Sequence, residues 1–278
     1  MPNLRPMLPG DVDQATDMIL GHEWGVRREF LAFATSQPKC VPMIAESDGV
    51  IVGTGVGTTS GSVGWIGTIF LAPAWRRQGL GRAITQSIID RLESAGARTL
   101  VLVATADGRR LYEKMGFEVQ TRYRILEAPG TSAPARDDGA RVRPFQPDDL
   151  EAVIALDREG TGEDRAHVIR RLVTPETAKV LPGLDGSIDG FVIRAPWGGG
   201  ATVARSIDAA LDIVAARRVI AGPDGRVRVG LLQENADGMA RLETLGFAPS
   251  WSAPRMIRGE PMTWHPERIW GQFNHAIG

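Results

Sequence analysis

The segment IFLAPAWRRQGLGRAI, residues 69–84, leads from an apolar strand through a loop with two glycines into a helix. At the start of a helix the first backbone N–H groups have no intrahelical acceptor, so they stabilise a bound phosphate. Gly79 and Gly81 would let a pyrophosphate approach the backbone, because a Cβ at either position would obstruct it. The segment predicts an anion-binding loop; a simple turn with solvated arginines is the alternative. Its cationic side chains are Arg76, Arg77 and Arg82.

Two other phosphate-binding patterns are excluded. The chain contains no G-x-x-x-x-G-K-[ST] segment. The glycine-rich residues 49–61 lead into another strand, whereas a dinucleotide-binding fingerprint leads into a helix. Residues 69–84 therefore remain the candidate anion site.

The chain repeats two patterns in the same order. ADGRRLYEKMGF at residues 106–117 resembles ADGMARLETLGF at 236–247, and LRPMLPGDV at 4–12 resembles VRPFQPDDL at 142–150. Two matched pairs indicate a duplicated chain, and convergent patterning of two unrelated domains is the alternative. Either interpretation predicts two units of similar architecture.

The length and a composition change predict where these units divide. A chain of 278 residues exceeds the roughly 100–200 residues typical of one domain. The segment APGTSAPARDDGA, residues 128–140, is rich in Pro, Ala and Gly, which is typical of a linker. We predict a first domain at residues 1–128, a linker at 129–140 and a second domain at 141–278.

Composition narrows the class of protein. An apolar content of 43% with 23% charged residues is typical of a globular chain, and a formal net charge of −1 favours neither a nucleic acid nor a membrane partner. The single cysteine, Cys40, cannot form an intramolecular disulfide. The start MPNLRPMLPGDVD lacks the apolar core of a signal peptide, and no apolar run approaches the roughly 18 residues of a membrane span. We expect a cytoplasmic protein.

Hydrophobic periodicity predicts the element order ααβββαβαβ for the first copy and a similar order for the second. In the second copy, GSIDGFVIRA at residues 186–195 predicts a strand hairpin, and residues 201–220 predict one long helix. Strands that alternate with helices place the chain in the α/β class, with a mixed α+β sheet that carries helices on its faces.

Residues 76–81, RRQGLG, resemble the acyl-CoA pyrophosphate loop of the GNAT superfamily of N-acetyltransferases, since they follow a strand and open a helix. Downstream, LYEKMGF at residues 111–117 resembles the helix-to-strand segment in which these enzymes often carry a tyrosine. The resemblance covers residues 4–126, and the second half resembles a degenerate GNAT domain. It implies two tandem GNAT-like acyl-CoA N-acyltransferase domains, with the first one active.

The resemblance also implies chemistry. Acetyl-CoA would be the acyl donor, and Tyr112 would be the general acid that protonates the departing CoA thiolate, because a phenol is protonated at neutral pH. Packing of this ring between helix and sheet is the alternative. The implied contacts of the pantetheine arm are Ile69, Phe70 and Leu71. The implied contacts of the pyrophosphate are Gln78, Gly79, Leu80, Gly81 and Arg82, beside Arg76 and Arg77.

The first copy departs from the family pattern in two places. Many relatives carry a glutamate base on the strand before the loop, but WIGTIFL at residues 65–71 has no carboxylate, and Thr105 stands where many relatives have asparagine. His22 and Glu23 are the candidate bases, and exposed loop residues are the alternative. Trp24 would form a wall of the acceptor pocket or bridge two helices.

The second copy lacks both functional features. Residues 191–231 contain no R-x-x-G-x-G loop, and Leu242 stands at the position of Tyr112, whereas Asn235 supplies the asparagine that the first copy lacks. The pattern suggests that this copy kept the architecture and lost catalysis. Residual cofactor binding by this half stays open.

The second copy has one further candidate site. Asp164 and Arg165, in ALDREGTGEDR at residues 155–165, would bind a charged acceptor in an interdomain cleft, a common location for ligand sites. Helix capping and ion pairing form the favoured alternative. The histidines near residue 270 have neither metal-ligand spacing nor cysteine partners, so no metal is expected.

These observations predict an enzyme that moves an acetyl group from acetyl-CoA to a primary amine of a small molecule by direct attack. A noncatalytic acyl-CoA-binding or regulatory protein is the alternative, because a strand glutamate is absent. A third hypothesis is acetylation of an amine on a protein, which is disfavoured if the second domain covers the side where the acceptor binds.

Overall fold

The computed structural model describes residues 2–20, 27–132, 141–184 and 186–278. The first half begins with a short strand and two helices, followed by a hairpin that leads into alternating strands and helices. Its elements are β1 (Asn3–Pro6), α1 (Val12–Leu20), α2 (Arg28–Ser36), β2 (Cys40–Ser47), β3 (Val50–Ser60), β4 (Val63–Leu71), α3 (Leu80–Ser94), β5 (Thr99–Val103), α4 (Ala106–Glu113) and β6 (Glu118–Pro129).

The second half repeats this order of helices and strands and adds one strand at its end. Its elements are β7 (Arg143–Pro144), α5 (Leu150–Thr161), α6 (Ala166–Leu172), β8 (Ala178–Pro182), β9 (Ile188–Arg194), β10 (Gly200–Ala204), α7 (Ile207–Ala221), β11 (Arg226–Leu232), α8 (Ala236–Thr244), β12 (Ala248–Gly259) and β13 (Ile269–Gly271). The predicted α/β class with a mixed sheet is confirmed. No helix in the described ranges is long and apolar enough to cross a membrane.

The strands of the described residues form two sheets. One has the order β1-β2-β3-β4-β5-β12-β6-β11 and the other the order β13-β10-β9-β8-β7. Strands β4 and β5 are parallel, and the other pairs are antiparallel. The eight-stranded sheet contains β11 and β12 of the second half beside strands of the first half. The boundary between the sheets is therefore not the boundary between the halves.

The two halves exchange their last long strands. β12 pairs with β5 of the first half, and β6 pairs with β11 of the second half. The side chains follow, since Met256 of β12 joins the apolar core that α3 covers, whereas Leu126 and Ala128 of β6 join the core that α7 covers. The spatial division of the molecule therefore crosses the chain division predicted at residues 129–140.

A continuous apolar core also joins the halves on the other face of the first sheet. Buried side chains of α1 and α2 belong to this core together with those of α5, α6 and the strands of the second sheet. The ring of Trp197 lies with its centroid 5.4 Å from that of Phe30 and 5.2 Å from that of Phe33. Since each aromatic side chain buries a large apolar area, this contact holds α2 on the second half.

The matched segments at residues 4–12 and 142–150 form the same clamp. Arg5 donates two hydrogen bonds to Asp11, at 2.7 and 2.9 Å, and Arg143 donates two to Asp149, at 2.7 and 2.8 Å. Each carboxylate also accepts a backbone N–H at 2.7 Å and so fixes the turn before the first helix. The sequence repeat is thus a repeat of geometry.

Two expectations about secondary structure in the second half were wrong. Residues 200–204 form strand β10 instead of the start of a long helix, because β-branched Thr202 and Val203 are fully buried and suit a strand. Ser206 then caps α7, which begins at Ile207. The predicted hairpin at residues 186–195 is the single strand Ile188–Arg194.

Candidate functional site

The N-terminus of α3 is open. Gly79 precedes the helix with a φ of +81°, a backbone conformation that favours glycine, and no side chain caps the helix. Within the described part of the chain, the backbone N–H groups of residues 78–82 donate to no acceptor. A row of unpaired N–H groups at the positive end of a helix is suited to bind an anion.

Gly81 is not required by the protein's own packing. A Cβ built there would lie 3.5 Å from Cδ1 of Leu71 and 3.7 Å from Cδ2 of Leu111, which are ordinary contacts. A ligand that approaches the backbone would require the glycine, since its atoms would occupy the same space. The packing of the described residues thus leaves room for a Cβ at this position.

Two of the predicted side chains in the loop stabilise it. The Nε of Arg76 donates to the carbonyl of Leu71 at 3.1 Å, and Nε2 of Gln78 donates to the carbonyl of Ala74 at 2.8 Å. Arg77, with a φ of +61°, and Arg82 are exposed, and neither forms an ion pair with a carboxylate of the described residues. Both guanidinium groups are available to an anion at the helix start.

The strand before the loop diverges from its neighbour. Pairing between β4 and β5 ends at Ile66 and Leu102. Just beyond this point Thr68 adopts a φ of +52°, its carbonyl accepts a hydrogen bond from Thr54 Oγ1 at 3.0 Å, and the register with β3 shifts. Residues 69–71, the predicted pantetheine contacts, lie beyond the last β4–β5 pair.

Tyr112 lies on α4, which follows β5. Thr105 caps this helix by accepting the N–H of Gly108 at 3.1 Å. The tyrosine ring is 8% exposed and packs edge-on against Phe117, with 6.1 Å between centroids. Burial raises the pKa of the Tyr112 phenol to about 12, so it keeps its proton at neutral pH.

Residues of the second half cover the place where β4 and β5 diverge, on the face of the eight-stranded sheet opposite α3 and α4. The indole Nε1 of Trp65, on β4, donates to Oε2 of Glu163 at 2.8 Å, and both residues are buried. A Cβ built on Gly67 would collide with the carbonyl oxygen of His275 and lie 2.7 Å from Cβ of Ala276. Residues of the second half thus pack directly on Trp65 and Gly67 of the first half.

The predicted substrate residues Asp164 and Arg165 belong to this cover. Arg165 is 2% exposed and donates two hydrogen bonds to Asp157, at 3.0 and 2.5 Å, while its guanidinium lies 5.2 Å from the ring centroid of Phe273. Asp164 accepts from Arg158 at 3.1 Å and from a backbone N–H of α6. These contacts favour the capping and ion-pairing alternative over substrate binding.

A second buried arginine faces the same cluster. The guanidinium of Arg255, on β12, lies 4.3 Å from the ring centroid of Trp264 and 5.4 Å from that of Trp65. Its Nη2 lies 3.9 Å from Oε1 of Glu163. Burial raises the pKa of Glu163, and the nearby Arg165 and Arg255 act against that rise. Sequence reasoning missed this cluster, because its members are far apart in the chain and share no motif.

The corresponding helix start in the second half is closed. Strand β10 and helix α7 are separated by only two residues, and Oγ of Ser206 accepts the N–H of Ala209 at 3.2 Å. Strand β13 pairs with β10, with Thr202 opposite Gly271. The chain's own atoms therefore occupy the edge and the helix start that stay open in the first half.

The other marker residues of the second half are also structural. Leu242 is completely buried at the position of Tyr112. Oδ1 of Asn235 accepts the N–H of Gly238 at 3.0 Å, and its Nδ2 donates to the carbonyl of Glu267 at 2.8 Å. The amide of Asn235 is thus engaged on both sides within the protein.

Three predicted residues, His22, Glu23 and Trp24, lie outside the described residues. An open groove of about 390 Å³ lies near the other end of α3, bordered by Pro38, Pro42 and Arg91. It is remote from Gly79 and Tyr112, and we assign no chemistry to it. No cluster of three or more potential metal ligands occurs in the described ranges.

Comparison with known protein families identifies both halves. The sequence model of the acetyltransferase (GNAT) family matches residues 11–117, and the model of an acetyltransferase (GNAT) domain matches residues 153–271. The chain belongs to the GNAT acetyltransferase family. Its two GNAT units lie in tandem, as predicted from the sequence, and the family supports an acyltransferase that uses acetyl-CoA.

A curated relative matches over a short stretch. The ribosomal protein bS18 alanine N-acetyltransferase of Escherichia coli strain K12 is 43% identical over 56 residues, which are 19% of this chain and 38% of that protein. The match covers well under two thirds of the relative.

Solved structures match over nearly the whole chain. A Pyrococcus horikoshii protein assigned as an acetyltransferase has a TM-score of 0.84 at 20% identity, with 99% of this chain and 95% of that one covered. A GCN5-related N-acetyltransferase from Sphaerobacter thermophilus has a TM-score of 0.65 at 17% identity, with 94% and 97% covered. A tandem GNAT protein from the clavulanic acid biosynthesis pathway has a TM-score of 0.60 at 14% identity, with 95% and 100% covered. At these identities the similarity establishes the fold.

Proposed function

We propose that the first GNAT unit transfers an acetyl group from acetyl-CoA to a primary amine of a small molecule, and that the second unit is structural. The observation that carries the proposal is the open N-terminus of α3 beside the point where β4 and β5 diverge, in contrast to the capped N-terminus of α7. Only the first arrangement offers a diphosphate its backbone N–H groups.

The residues of the first unit fit acetyl-CoA. The N–H groups of residues 78–82, with Arg77 and Arg82, would hold the diphosphate. Residues 69–71, on the diverging end of β4, would contact the pantetheine arm. Gly81 supports this fit. The packing of the protein leaves room for a side chain at this position, so a ligand close to the backbone would explain why it is a glycine.

Tyr112 would act as the general acid. Its phenol keeps a proton at neutral pH because burial raises the pKa to about 12. It would give that proton to the sulfur as the C–S bond of the thioester breaks. Such proton transfer from a positioned side chain typically contributes about 10²–10⁴ in rate.

The covered face of the sheet favours a small acceptor. Residues of the second unit pack directly on Trp65 and Gly67, next to the point where β4 and β5 diverge. A protein chain end needs an open groove, which this cover restricts. The short match to an enzyme named for the alanine of a ribosomal protein makes a protein N-terminus the second candidate acceptor. We place the reaction in the cytoplasm, without a nucleic acid or membrane partner.

A CoA-release assay tests the proposal. Wild-type protein with acetyl-CoA would be tested against ethanolamine, phenethylamine, spermidine, glucosamine and a peptide that begins with alanine. We expect turnover with at least one small amine and a large loss in Tyr112→Phe. Turnover with the alanyl peptide alone would favour the second candidate. Tight acetyl-CoA binding without turnover of any amine would make the protein a noncatalytic acyl-CoA binder.

A further inference from the structure

His275 lies across the end of β5, where β4 and β5 have diverged. Its carbonyl oxygen packs on Gly67 of β4, while its ring lies 5.2 Å from the ring centroid of Tyr123, on β6. In the sheet, β5 and β12 lie between these two strands. Since Val103, the last residue of β5, packs with Tyr123, the imidazole is above the carboxyl end of β5, on the face opposite α3 and α4.

The segment that carries this imidazole is firmly held. The carbonyl of Phe273 accepts the indole N–H of Trp197 at 2.8 Å. Oδ1 of Asn274 accepts the backbone N–H groups of Ala276 at 2.7 Å and of Ile277 at 3.1 Å. The position of the ring is therefore set by the fold of the second unit rather than by a free terminus.

The imidazole has an unused ring nitrogen. Nδ1 of His275 is buried and has no hydrogen-bond partner among the described residues. The ring stacks on Trp251 at 5.5 Å between centroids. A buried nitrogen without a partner is costly unless a ligand supplies one.

Burial, with a smaller contribution from one neighbouring charge, keeps the ring neutral. Burial lowers the pKa of His275 to about 4, and the neighbouring Arg27 lowers it further. Tyr123 faces the ring directly, and Arg255, Glu163 and Arg165 interact with that phenol from behind. A neutral imidazole has one nitrogen able to accept a proton.

Strand β4 lacks the carboxylate that would otherwise serve the amine, and the residue packed on Gly67 in its place is His275. We propose that Nδ1 of His275 accepts a proton from the amine substrate of the first GNAT unit, an inference that rests on the proposed N-acetyltransferase function. The rings of Tyr123 and Trp251 pack on this imidazole.

The proton balance of this step is simple. The neutral amine attacks the thioester carbonyl and forms the C–N bond, and the tetrahedral adduct, whose nitrogen is more acidic than a free ammonium, gives one proton to Nδ1. The C–S bond then breaks, and the sulfur takes the proton of Tyr112. The proton on His275 leaves to solvent, and solvent restores the phenol.

Glu163 is a less suitable base. Its Oε2 accepts the Trp65 indole, and its Oε1 lies near Arg255. Both oxygens are thus engaged in the interdomain cluster, whereas Nδ1 of His275 has no such partner in the described ranges.

The test compares wild type, His275→Gln and the control His265→Gln, an exposed histidine of the second unit that pairs with Glu267. The assay follows CoA release with the best amine of the panel from pH 6.5 to 9.5, and calorimetry follows acetyl-CoA binding. We expect His275→Gln to lower kcat/KM about 10²–10⁴-fold at pH 7 with acetyl-CoA affinity unchanged. Added imidazole should restore part of the activity in His275→Ala.

The outcomes are distinct. A His275→Gln variant with wild-type activity, or a His275→Ala variant that added imidazole does not rescue, would overturn the role of His275 while the proposed function stands. A wild-type protein that binds acetyl-CoA and turns over no amine would overturn the proposed function and this inference with it.

Discussion

Helices α3 and α7 follow corresponding strands in the two GNAT units, yet their N-termini differ. α3 begins after a long loop that ends in the left-handed Gly79, and its first N–H groups have no acceptor in the described chain. α7 begins two residues after its strand, and Ser206 satisfies its start. The same fold thus has an open helix N-terminus in one unit and a capped one in the other.

The comparison teaches that the second unit makes internal contacts where the first unit leaves groups open. Ser206 accepts a backbone N–H at the start of α7, β13 pairs with the edge of β10, and a fully buried Leu242 stands at the position of the phenol. The first two contacts satisfy backbone groups of the second unit within the chain. The open groups of the first unit are therefore the ones to test.

The largest effect is expected at the pair Tyr112 and Leu242. Tyr112→Phe should lower kcat by about 10²–10⁴, because the phenol proton is lost while the ring still packs against Phe117. Leu242→Met is the matched control and should leave kcat unchanged, since it conserves volume in a core remote from the loop. Steady-state CoA release measures both, and equal effects of the two changes would contradict the asymmetry.

The next effect concerns Gly81. Gly81→Ala should leave the thermal midpoint unchanged or raise it, because the new Cβ makes ordinary contacts and alanine favours the helix. The same change should weaken acetyl-CoA binding about tenfold or more, and Gly81→Val should weaken it further. Calorimetry and thermal unfolding on the same samples measure this. Unchanged affinity at an unchanged midpoint would contradict the placement of the diphosphate.

A smaller effect is expected at the caps of α4 and α8. Thr105→Ala should cost about 1 kcal/mol of stability through the lost cap. Asn235→Ala should cost about 1 kcal/mol more, because it also leaves the carbonyl of Glu267 without its donor. Urea unfolding at pH 7 compares them, and a larger cost for Thr105→Ala would contradict the structural role of Asn235.

The smallest effect concerns the repeated clamps. Hydrogen bonds from Arg5 and Arg143 lower the pKa values of Asp11 and Asp149. A carboxyl group with a lowered folded pKa stabilises the protein above its unfolded value of 3.8 and loses that contribution as the pH falls through the folded pKa.

Asp11→Asn and Asp149→Asn should therefore each cost about 1 kcal/mol at pH 7, and progressively less as the pH falls below about 4. Urea midpoints at pH 7 and pH 3 measure the change. A cost that grows toward low pH would show that the clamps do not act through these ionised carboxylates.

Much of the fold followed from the sequence because the signals were local. The 3.6-residue periodicity of α1 and α3, the glycines at the start of α3 and the repeated Arg–Asp pairs each act within a few residues. Strand β10 was missed because its five residues run directly into α7, and the apolar pattern of a short buried strand resembles that of a helix.

The exchange of β6 and β12, and the cluster around Glu163 and His275, could not be predicted. They depend on pairing between residues more than 90 positions apart, for which periodicity carries no signal. The anion loop and Tyr112 were predictable because they form a spaced motif. The interdomain cover was not, because its residue types are ordinary and only the fold brings them together.

Titration calorimetry of the full chain with acetyl-CoA tests the central claim most directly, because the stoichiometry compares the two units in one experiment. The open α3 and the closed α7 predict one site per chain, weakened by Gly81→Val and unaffected by Ser206→Ala. Two sites per chain, or a single site that responds to Ser206→Ala and not to Gly81→Val, would contradict it.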